Sequence, residues 1–246
     1  MTSLNRSFVS VANSPKGFTL VELAIGMLVI ALLLGSILVP LSAQVEQRKV
    51  AETQKVLEET REALLGFAVT QGYLPCPAVS AANGDEDRSA GTCTGGKRQG
   101  FVPWALLGTP KLDAWGHIFR YSVSPTFSTS VAPFSLASTR DITIRTRDSS
   151  GALTNLSNLN AIPAVVLSVG KNGYWGTIDN GTNVGDKLGT PDNVDEDTNG
   201  NGSGQVFVSR TITDNANATG GEWDDIVIWL SPNVLFNRMV AAGKLP

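Results

Sequence analysis

A long apolar segment near the N-terminus constrains this chain more than any other feature of its sequence. No charged residue occurs at residues 23–39, and with Phe18 and its neighbours the segment reaches ~20 residues, the length of a bilayer-spanning helix. One carboxylate, Glu22, lies at its start. Because an acid at the edge of a membrane helix is costly, we expect it to have a cationic partner. Cleavage after Gly17 would create such a partner, the α-ammonium group of Phe18.

The residues around this acid follow a known processing signal. A basic leader with Arg6 and Lys16 is followed, without a gap, by glycine, phenylalanine, threonine, leucine, valine and glutamate at residues 17–22. This block resembles the prepilin signal of type IV pilins and of the pseudopilins of type II secretion.

The resemblance implies how the chain is processed and what it assembles into. A prepilin peptidase would cleave between Gly17 and Phe18 and methylate the new amine. Glu22 would then pair with the Phe18 amine of a neighbouring subunit in a helical filament of like or related pilins. A cytoplasmic ATPase and a platform protein would drive assembly from the membrane. Pro40 lies near the position at which the family often has a helix-bending proline.

Composition divides the chain into four parts. Residues 1–17 are the leader, residues 18–43 a transmembrane or filament-core helix, residues 44–70 an amphipathic helix, and residues 71–246 a head rich in small and polar residues. The head is long enough to bury a core of its own. Because positive charges favour the cytoplasmic side, we expect a single-pass protein of a bacterial inner membrane, with its leader in the cytoplasm and its head in the periplasm.

The segment after the apolar run has the pattern of a helix that packs on a sheet. Val50, Leu57 and Leu64 repeat at seven-residue spacing between charged residues, which gives the helix one apolar stripe. Gly72 and Pro75 predict where it ends. A coiled coil is the alternative, and the few, impure heptads favour it less.

The head has the texture of a β-rich domain. Short apolar runs predict strands at residues 117–124, 141–146, 164–169, 206–211 and 226–230. Residues 232–242 predict a closing helix that Ser231 can cap. The predicted fold class is α+β: a long N-terminal helix, membrane-spanning in its first half and amphipathic in its second, packed on an antiparallel β-sheet head. This is the pilin-like architecture that the resemblance implies.

Two cysteines, Cys76 and Cys93, predict one intrachain disulfide, because an exported head lies in an oxidising compartment. Two free thiols are the alternative. With His117 as the only histidine, a closed zinc site is not expected.

An acidic segment rich in asparagine and glycine predicts a calcium site in the head. Asp195, Asp197, Asn199 and Gly200 match the first half of an EF-hand loop, in which alternating oxygens converge on a hard cation. Val206 stands where the final bidentate glutamate is expected, so a complete EF-hand is excluded. The candidate ligands are Asp192, Asp195, Asp197, Asn199, Asp224 and Asp225. A solvated acidic loop is the alternative, and no other cofactor is expected.

The head resembles pseudopilin heads at two further places. One is the Asp-Ala-Trp-Gly block at residues 113–116 with the aromatic strand start at residues 119–121. The other is the glycine-rich turn at residues 168–173 with the acidic pair Asp224 and Asp225 downstream. The head also holds five tryptophans, which suit either core packing or a sugar-binding surface: Trp104, Trp115, Trp175, Trp223 and Trp229.

No motif in the chain predicts catalysis or nucleic-acid binding. There is no G-x-S-x-G elbow, no phosphate-binding loop and no H-E-x-x-H, so no catalytic residue is assigned. The net charge is −3 and no basic stripe occurs. The predicted function is a structural subunit of a type IV pilus or pseudopilus, as a type II secretion pseudopilin or minor pilin. The alternative is a monomeric, signal-anchored periplasmic binding or adhesive module that does not polymerise.

Overall fold

The computed structural model describes residues 17–185 and 193–245. They form two compact units, one that ends at Gln47 and one that begins at Arg48. Most of the leader, and Asp192 among the predicted calcium ligands, lie outside the described residues. The helices are α1 (Leu20–Gln71), α2 (Trp104–Leu107), α3 (Pro125–Ser128), α4 (Val194–Asn201) and α5 (Pro232–Ala241).

The strands belong to the second unit. They are β1 (Arg88–Ser89), β2 (Thr92–Cys93), β3 (Gln99–Phe101), β4 (Arg120–Val123), β5 (Thr143–Arg147), β6 (Leu153–Asn155), β7 (Ala164–Ser168), β8 (Val206–Val208) and β9 (Ile226–Trp229). An antiparallel sheet has the order β3-β4-β7-β9. A smaller sheet has the order β6-β5-β8, in which β6 is antiparallel and β8 parallel to β5. Strands β1 and β2 form a hairpin.

The first unit contains the N-terminal part of α1, whose apolar side chains are exposed. The large apolar side chains from Phe18 to Leu33 have between 46% and 88% of their surface exposed. Among the described residues, no helix combines the length and the apolar character needed to cross a membrane. Pro40 lies within α1, and the bend expected there stays a prediction.

The second unit has its main core between the C-terminal part of α1 and the four-stranded sheet. Leu57 and Leu64, two members of the predicted stripe, are fully buried and belong to one cluster with Tyr121 of β4 and Val166 of β7. Helix α1 ends before Gly72, which has a left-handed φ of 85°. The predicted packing of an amphipathic helix on an antiparallel sheet is confirmed.

A second core lies on the other face of the same sheet. Val165 and Leu167 of β7 cluster there with Ile144 of β5, Phe207 of β8 and Trp223. Because successive side chains of a strand point to opposite faces, β7 contributes to both cores. All five of its residues are buried.

The sequence-based assignment of the head is confirmed in most places and wrong in a few. The five predicted strands correspond to β4, β5, β7, β8 and β9, each shorter than predicted and β5 ending one residue later, and the closing helix corresponds to α5. The parallel pairing of β5 with β8 was not predicted. Ser231 is the N-cap residue of α5 and Pro232 lies in its first turn, as predicted, but the Ser231 side chain makes no capping hydrogen bond.

Cys76 and Cys93 form the predicted disulfide, and both residues are buried. Cys93 Sγ lies 3.3 Å from Ser128 Oγ in α3. Arg88, inside the loop that the disulfide closes, donates through Nη1 to the Ser128 carbonyl at 2.6 Å. The disulfide ties β2 to the segment that follows α1, and the hydrogen bond from Arg88 holds the β1–β2 hairpin against α3.

Candidate functional site

Helix α4 replaces the loop that the acidic sequence pattern predicts. Asp195, Asp197 and Asn199 all lie on this helix. Residues two apart on a helix do not face each other, so their oxygens do not converge on one point. Asp197 is exposed, while Asp195 and Asn199 are fully buried. The predicted half of an EF-hand loop is therefore wrong, and these residues have other contacts.

Asp195 forms a buried ion pair with two arginines. Arg147 of β5 binds its carboxylate in a bidentate manner through Nε and Nη2, both at 2.7 Å. Arg210 Nε lies 3.0 Å from the Asp195 Oδ2 atom. A buried carboxylate paired in this way is strongly destabilising when its partner is lost. Asp195 thus fastens α4 to β5 and to the chain that follows β8.

The neighbouring acid, Glu196, belongs to a cluster of three carboxylates. Oxygens of Glu196, Asp224 and Asp225 lie within 4.8 Å of one another. Two predicted ligands, Asp224 and Asp225, are therefore brought together, with Glu196 as a third member that was not predicted. Oxygens at this separation can reach a single Ca²⁺ at the usual distance of about 2.3–2.6 Å.

Hydrogen bonds satisfy only part of this carboxylate cluster. Asn172 Nδ2 donates to both oxygens of Glu196, at 3.1 and 3.0 Å, and Asn199 Nδ2 donates to Asp225 Oδ2 at 2.8 Å. Other acceptors remain unsatisfied, and a buried acceptor without a donor is costly. Three such oxygens have no hydrogen-bond partner among the described residues: Asn193 Oδ1, Asp224 Oδ1 and Asp225 Oδ1.

Burial shifts the proton affinity of all three carboxylates in the cluster. It raises the pKa of Asp224 to about 7, with the charge of Glu196 adding to the effect. It also raises the pKa of Glu196 and raises that of Asp225 well above its usual range. Burial penalises the charged form of each acid. At neutral pH the cluster therefore needs protons or a cation to remain buried at low cost.

The two head motifs that resemble pseudopilin heads meet beside this cluster. Ser168 Oγ donates to Asp113 Oδ2 at 2.6 Å, and His117 Nδ1 donates to the Gly170 carbonyl at 3.0 Å. Gly170 has a φ of 65° and no room for a Cβ, which would overlap Asp224. These contacts place the turn after β7 against the acidic pair, and they give His117 a structural position.

The start of α1 is a second candidate site. Its first helical hydrogen bond runs from Leu23 N to the Thr19 carbonyl at 3.1 Å, so Thr19 is the N-cap residue. Glu22 N donates to Thr19 Oγ1 at 3.2 Å. In return, Thr19 N and Thr19 Oγ1 donate to Glu22 Oε2 at 3.1 and 3.0 Å. This reciprocal arrangement is a capping box.

The capping box gives Glu22 a contact within its own chain that was not predicted. A signal for it was present in the sequence, since Thr19 and Glu22 have the T-x-x-E spacing that often precedes an apolar helix. Glu22 Oε1 takes no part in the three capping hydrogen bonds. The carboxylate can therefore start the helix and still present an oxygen to a second partner.

Comparison with known proteins identifies the signal at this helix start. A family model described as the prokaryotic N-terminal methylation motif matches residues 13–38. The chain carries the type IV pilin and pseudopilin signal. This methylation motif includes Gly17, Phe18, Thr19 and Glu22, together with nearly all of the apolar segment. Searches of curated proteins and of solved structures found no match.

The methylation motif indicates a chain that is processed by prepilin peptidase and assembled into filaments. It points to a structural pilin-type protein and not to an enzyme. The match ends at residue 38, so it does not cover the carboxylate cluster or the rest of the head.

Proposed function

We propose that this protein is a structural subunit of a type IV pilus or pseudopilus, a type II secretion pseudopilin or a minor pilin. The methylation motif at residues 13–38 carries the proposal. In it, prepilin peptidase cleaves after Gly17 and methylates the amine of Phe18. A platform protein and an ATPase then move the subunit from the inner membrane into the filament.

The exposed surface at the start of α1 supports a role in assembly. The side chains of Phe18 and Leu20 are 86% and 88% exposed, and apolar residues continue along the helix to Leu33. A continuous apolar surface of this kind marks a membrane or protein contact. Lipid would cover it in the stored subunit, and the helices of neighbouring subunits would cover it in the filament.

The head fits a subunit that lies on the outside of a filament. Helix α1 from Arg48 onward packs on an antiparallel sheet, which is the pilin-like arrangement expected from the resemblance. The disulfide between Cys76 and Cys93 suits an exported domain. A monomeric anchored module would share these features, so assembly itself separates the two functions.

The processing step can be tested by mass spectrometry of protein extracted from membranes. We expect the mature chain to begin at Phe18 and to carry one added methyl group. The same host without its prepilin peptidase should yield protein that retains the leader. Retention of the leader in a host with an active peptidase would contradict the proposal and favour the monomeric, signal-anchored module.

We further propose that the carboxylate cluster binds calcium. Glu196, Asp224 and Asp225 supply oxygens that are hard ligands, as Ca²⁺ requires. The unsatisfied Oδ1 atoms of Asp224 and Asp225 would receive the cation. The bound ion would neutralise acids that burial otherwise forces toward protonation, and it would link α4 to the start of β9.

Calcium should raise the stability of the head and change its dependence on pH. Without calcium, Asp224 holds its proton in the folded state up to a pKa of about 7, but in the unfolded chain only up to 3.8. The folded state therefore binds more protons in this interval, and stability falls as pH rises through it. A calcium concentration about 100 times the Kd should contribute ~2.7 kcal/mol, or roughly 5–11 °C in Tm at neutral pH.

Two asparagine variants make this measurement specific to the cluster. Asp225→Asn should abolish the calcium-dependent rise in Tm, because it removes a buried ligand. Asp197→Asn is the matched control, since Asp197 lies on the same helix as Glu196 but is exposed, and its response to calcium should equal that of the wild type. Equal Tm values for the wild type in calcium and in chelator would refute the calcium site.

A further inference from the structure

The lining of a cavity on the head shares no residue with the carboxylate cluster or with the capping box. It has a volume of about 330 Å³, at the lower end of the range for small-molecule sites. Its walls come from β3, β4 and the turns that follow β7. The side chains that matter for its chemistry are Phe101, Arg120, Trp175, Thr177 and Asn183.

Arg120 brings a positive charge to this cavity. It lies on β4, on the opposite face from Tyr121, whose side chain is in the main core. Its Nη1 atom donates to the Trp175 carbonyl at 2.7 Å, which is its one hydrogen bond to a described residue. A guanidinium has five N–H donors. The others are therefore available to a group that enters the cavity.

The backbone of Trp175 is held in an unusual conformation at the cavity wall. Its φ is 61°, a region that bulky residues rarely adopt and that tends to occur at binding sites. The hydrogen bond from Arg120 holds the Trp175 carbonyl. Gly200 of α4 lies so close that a Cβ there would overlap Trp175. Trp175 is thus held by Arg120 on one side and by Gly200 on the other, as expected for a binding site that is formed before its ligand arrives.

The polar groups of the cavity favour a ligand that accepts hydrogen bonds. Thr177 Oγ1 donates to Asn183 Oδ1 at 2.8 Å, which fixes the amide and leaves its nitrogen as a donor. Arg120 supplies further donors and a charge. Phe101 and Trp175 supply apolar surface for the body of a ligand. The site therefore matches an anionic group on a small, partly apolar body.

We propose that this cavity binds a small carboxylate ligand, with Arg120 holding the carboxylate and Phe101 and Trp175 contacting its body. A planar guanidinium matches the two oxygens of a carboxylate. An acidic sugar or a peptide C-terminus would present this chemistry.

Carboxylate binding at this cavity would be a property distinct from filament assembly and would not depend on it. Calorimetric titration of the detergent-solubilised full chain can test it with two pairs of probes. Glucuronate is compared with glucose, and N-acetyl-dialanine with its C-terminal amide. We expect saturable binding of at least one carboxylate probe and none of its neutral counterpart. The pair that responds identifies an acidic sugar or a peptide C-terminus as the source.

Variants connect any observed binding to the cavity. Arg120→Gln should lower the affinity for the carboxylate probe by about 10- to 100-fold, because hydrogen bonds to a charged group are lost. Arg145→Gln is the matched control, because Arg145 is also partly buried but lies on β5 away from the cavity, and its affinity should be unchanged. If Arg120→Gln does not fold, Asn183→Ala replaces it, since Asn183 is exposed, with an expected loss of roughly 2- to 10-fold.

Three results would overturn this binding site. The first is an absence of saturable binding for both carboxylate probes, and the second is equal affinity for a carboxylate and its neutral counterpart. The third is wild-type affinity in the folded Arg120→Gln protein, or in Asn183→Ala if Arg120→Gln does not fold. None of them bears on cleavage after Gly17, so the filament proposal stands or falls separately.

Discussion

A Glu22→Gln variant is expected to be cleaved and methylated normally but to enter filaments at less than about a tenth of the wild-type level. Glutamine can still occupy the third helical position of a capping box, so the start of α1 should be retained. What the variant removes is the negative charge that would pair with the Phe18 amine of a neighbouring subunit. Leaving a buried charge without its partner costs about 3–5 kcal/mol, which is enough to suppress assembly. Sheared filaments and whole membranes are compared by immunoblot.

Thr19→Val separates the two roles of Glu22. This variant removes the capping oxygen of Thr19 and keeps the carboxylate, so we expect a loss of ~1 kcal/mol in helix stability and assembly close to the wild-type level. Glu22→Val removes both roles and should fail at least as severely as Glu22→Gln. Normal assembly of Glu22→Gln, combined with failure of Thr19→Val, would show that Glu22 acts through the capping box and not through charge pairing.

Loss of the disulfide should produce a large change in the stability of the head. The two cysteines are 17 residues apart in sequence, and closing a loop of this length stabilises a fold by about 3 kcal/mol in the chain-entropy description. For a head of this size the Tm should fall by roughly 6–12 °C. The Cys76→Ala/Cys93→Ala double variant is compared with the oxidised wild type by thermal melting monitored by circular dichroism.

Reduced wild-type protein is the control for this measurement, because it lacks the covalent bond and keeps both sulfur atoms. The reduced protein and the double alanine variant should melt within a few degrees of each other. If both have the same Tm as the oxidised wild type, the disulfide makes no contribution to stability. The hydrogen bond from Arg88 to the Ser128 carbonyl would then be sufficient to hold the hairpin.

Features of the fold that depend on local periodicity were predictable from the sequence. The seven-residue spacing of Leu57 and Leu64 predicted the buried face of α1, and the apolar run at residues 164–169 predicted β7. Strands β1, β2, β3 and β6 were missed. Strands β1 and β2 have only two residues each, the residues of β6 are all exposed, and no residue of β3 is fully buried, so none of them gives an apolar run. The parallel pairing of β5 with β8 depends on contacts between distant residues, and no local pattern encodes it.

The carboxylate cluster shows the same limit in the candidate site. The alternation of Asp195, Asp197 and Asn199 resembles a cation-binding loop, but these residues lie on α4, where Asp195 pairs with Arg147, which is distant in sequence. Glu196 was not predicted as a ligand because its partners, Asp224 and Asp225, are distant in sequence. The N-terminal signal was predictable because its chemistry is contained in six consecutive residues, 17–22.

The position of β7 between the two cores has a consequence for the life of the subunit. Since its side chains belong alternately to both, neither layer of the head can open without exposing the other, and local unfolding of one half alone is disfavoured. Damage at any position in the head is then expected to destabilise the whole domain. Quality-control proteases would encounter either an intact subunit or one that is open to degradation throughout, with few half-damaged subunits left to enter a fibre.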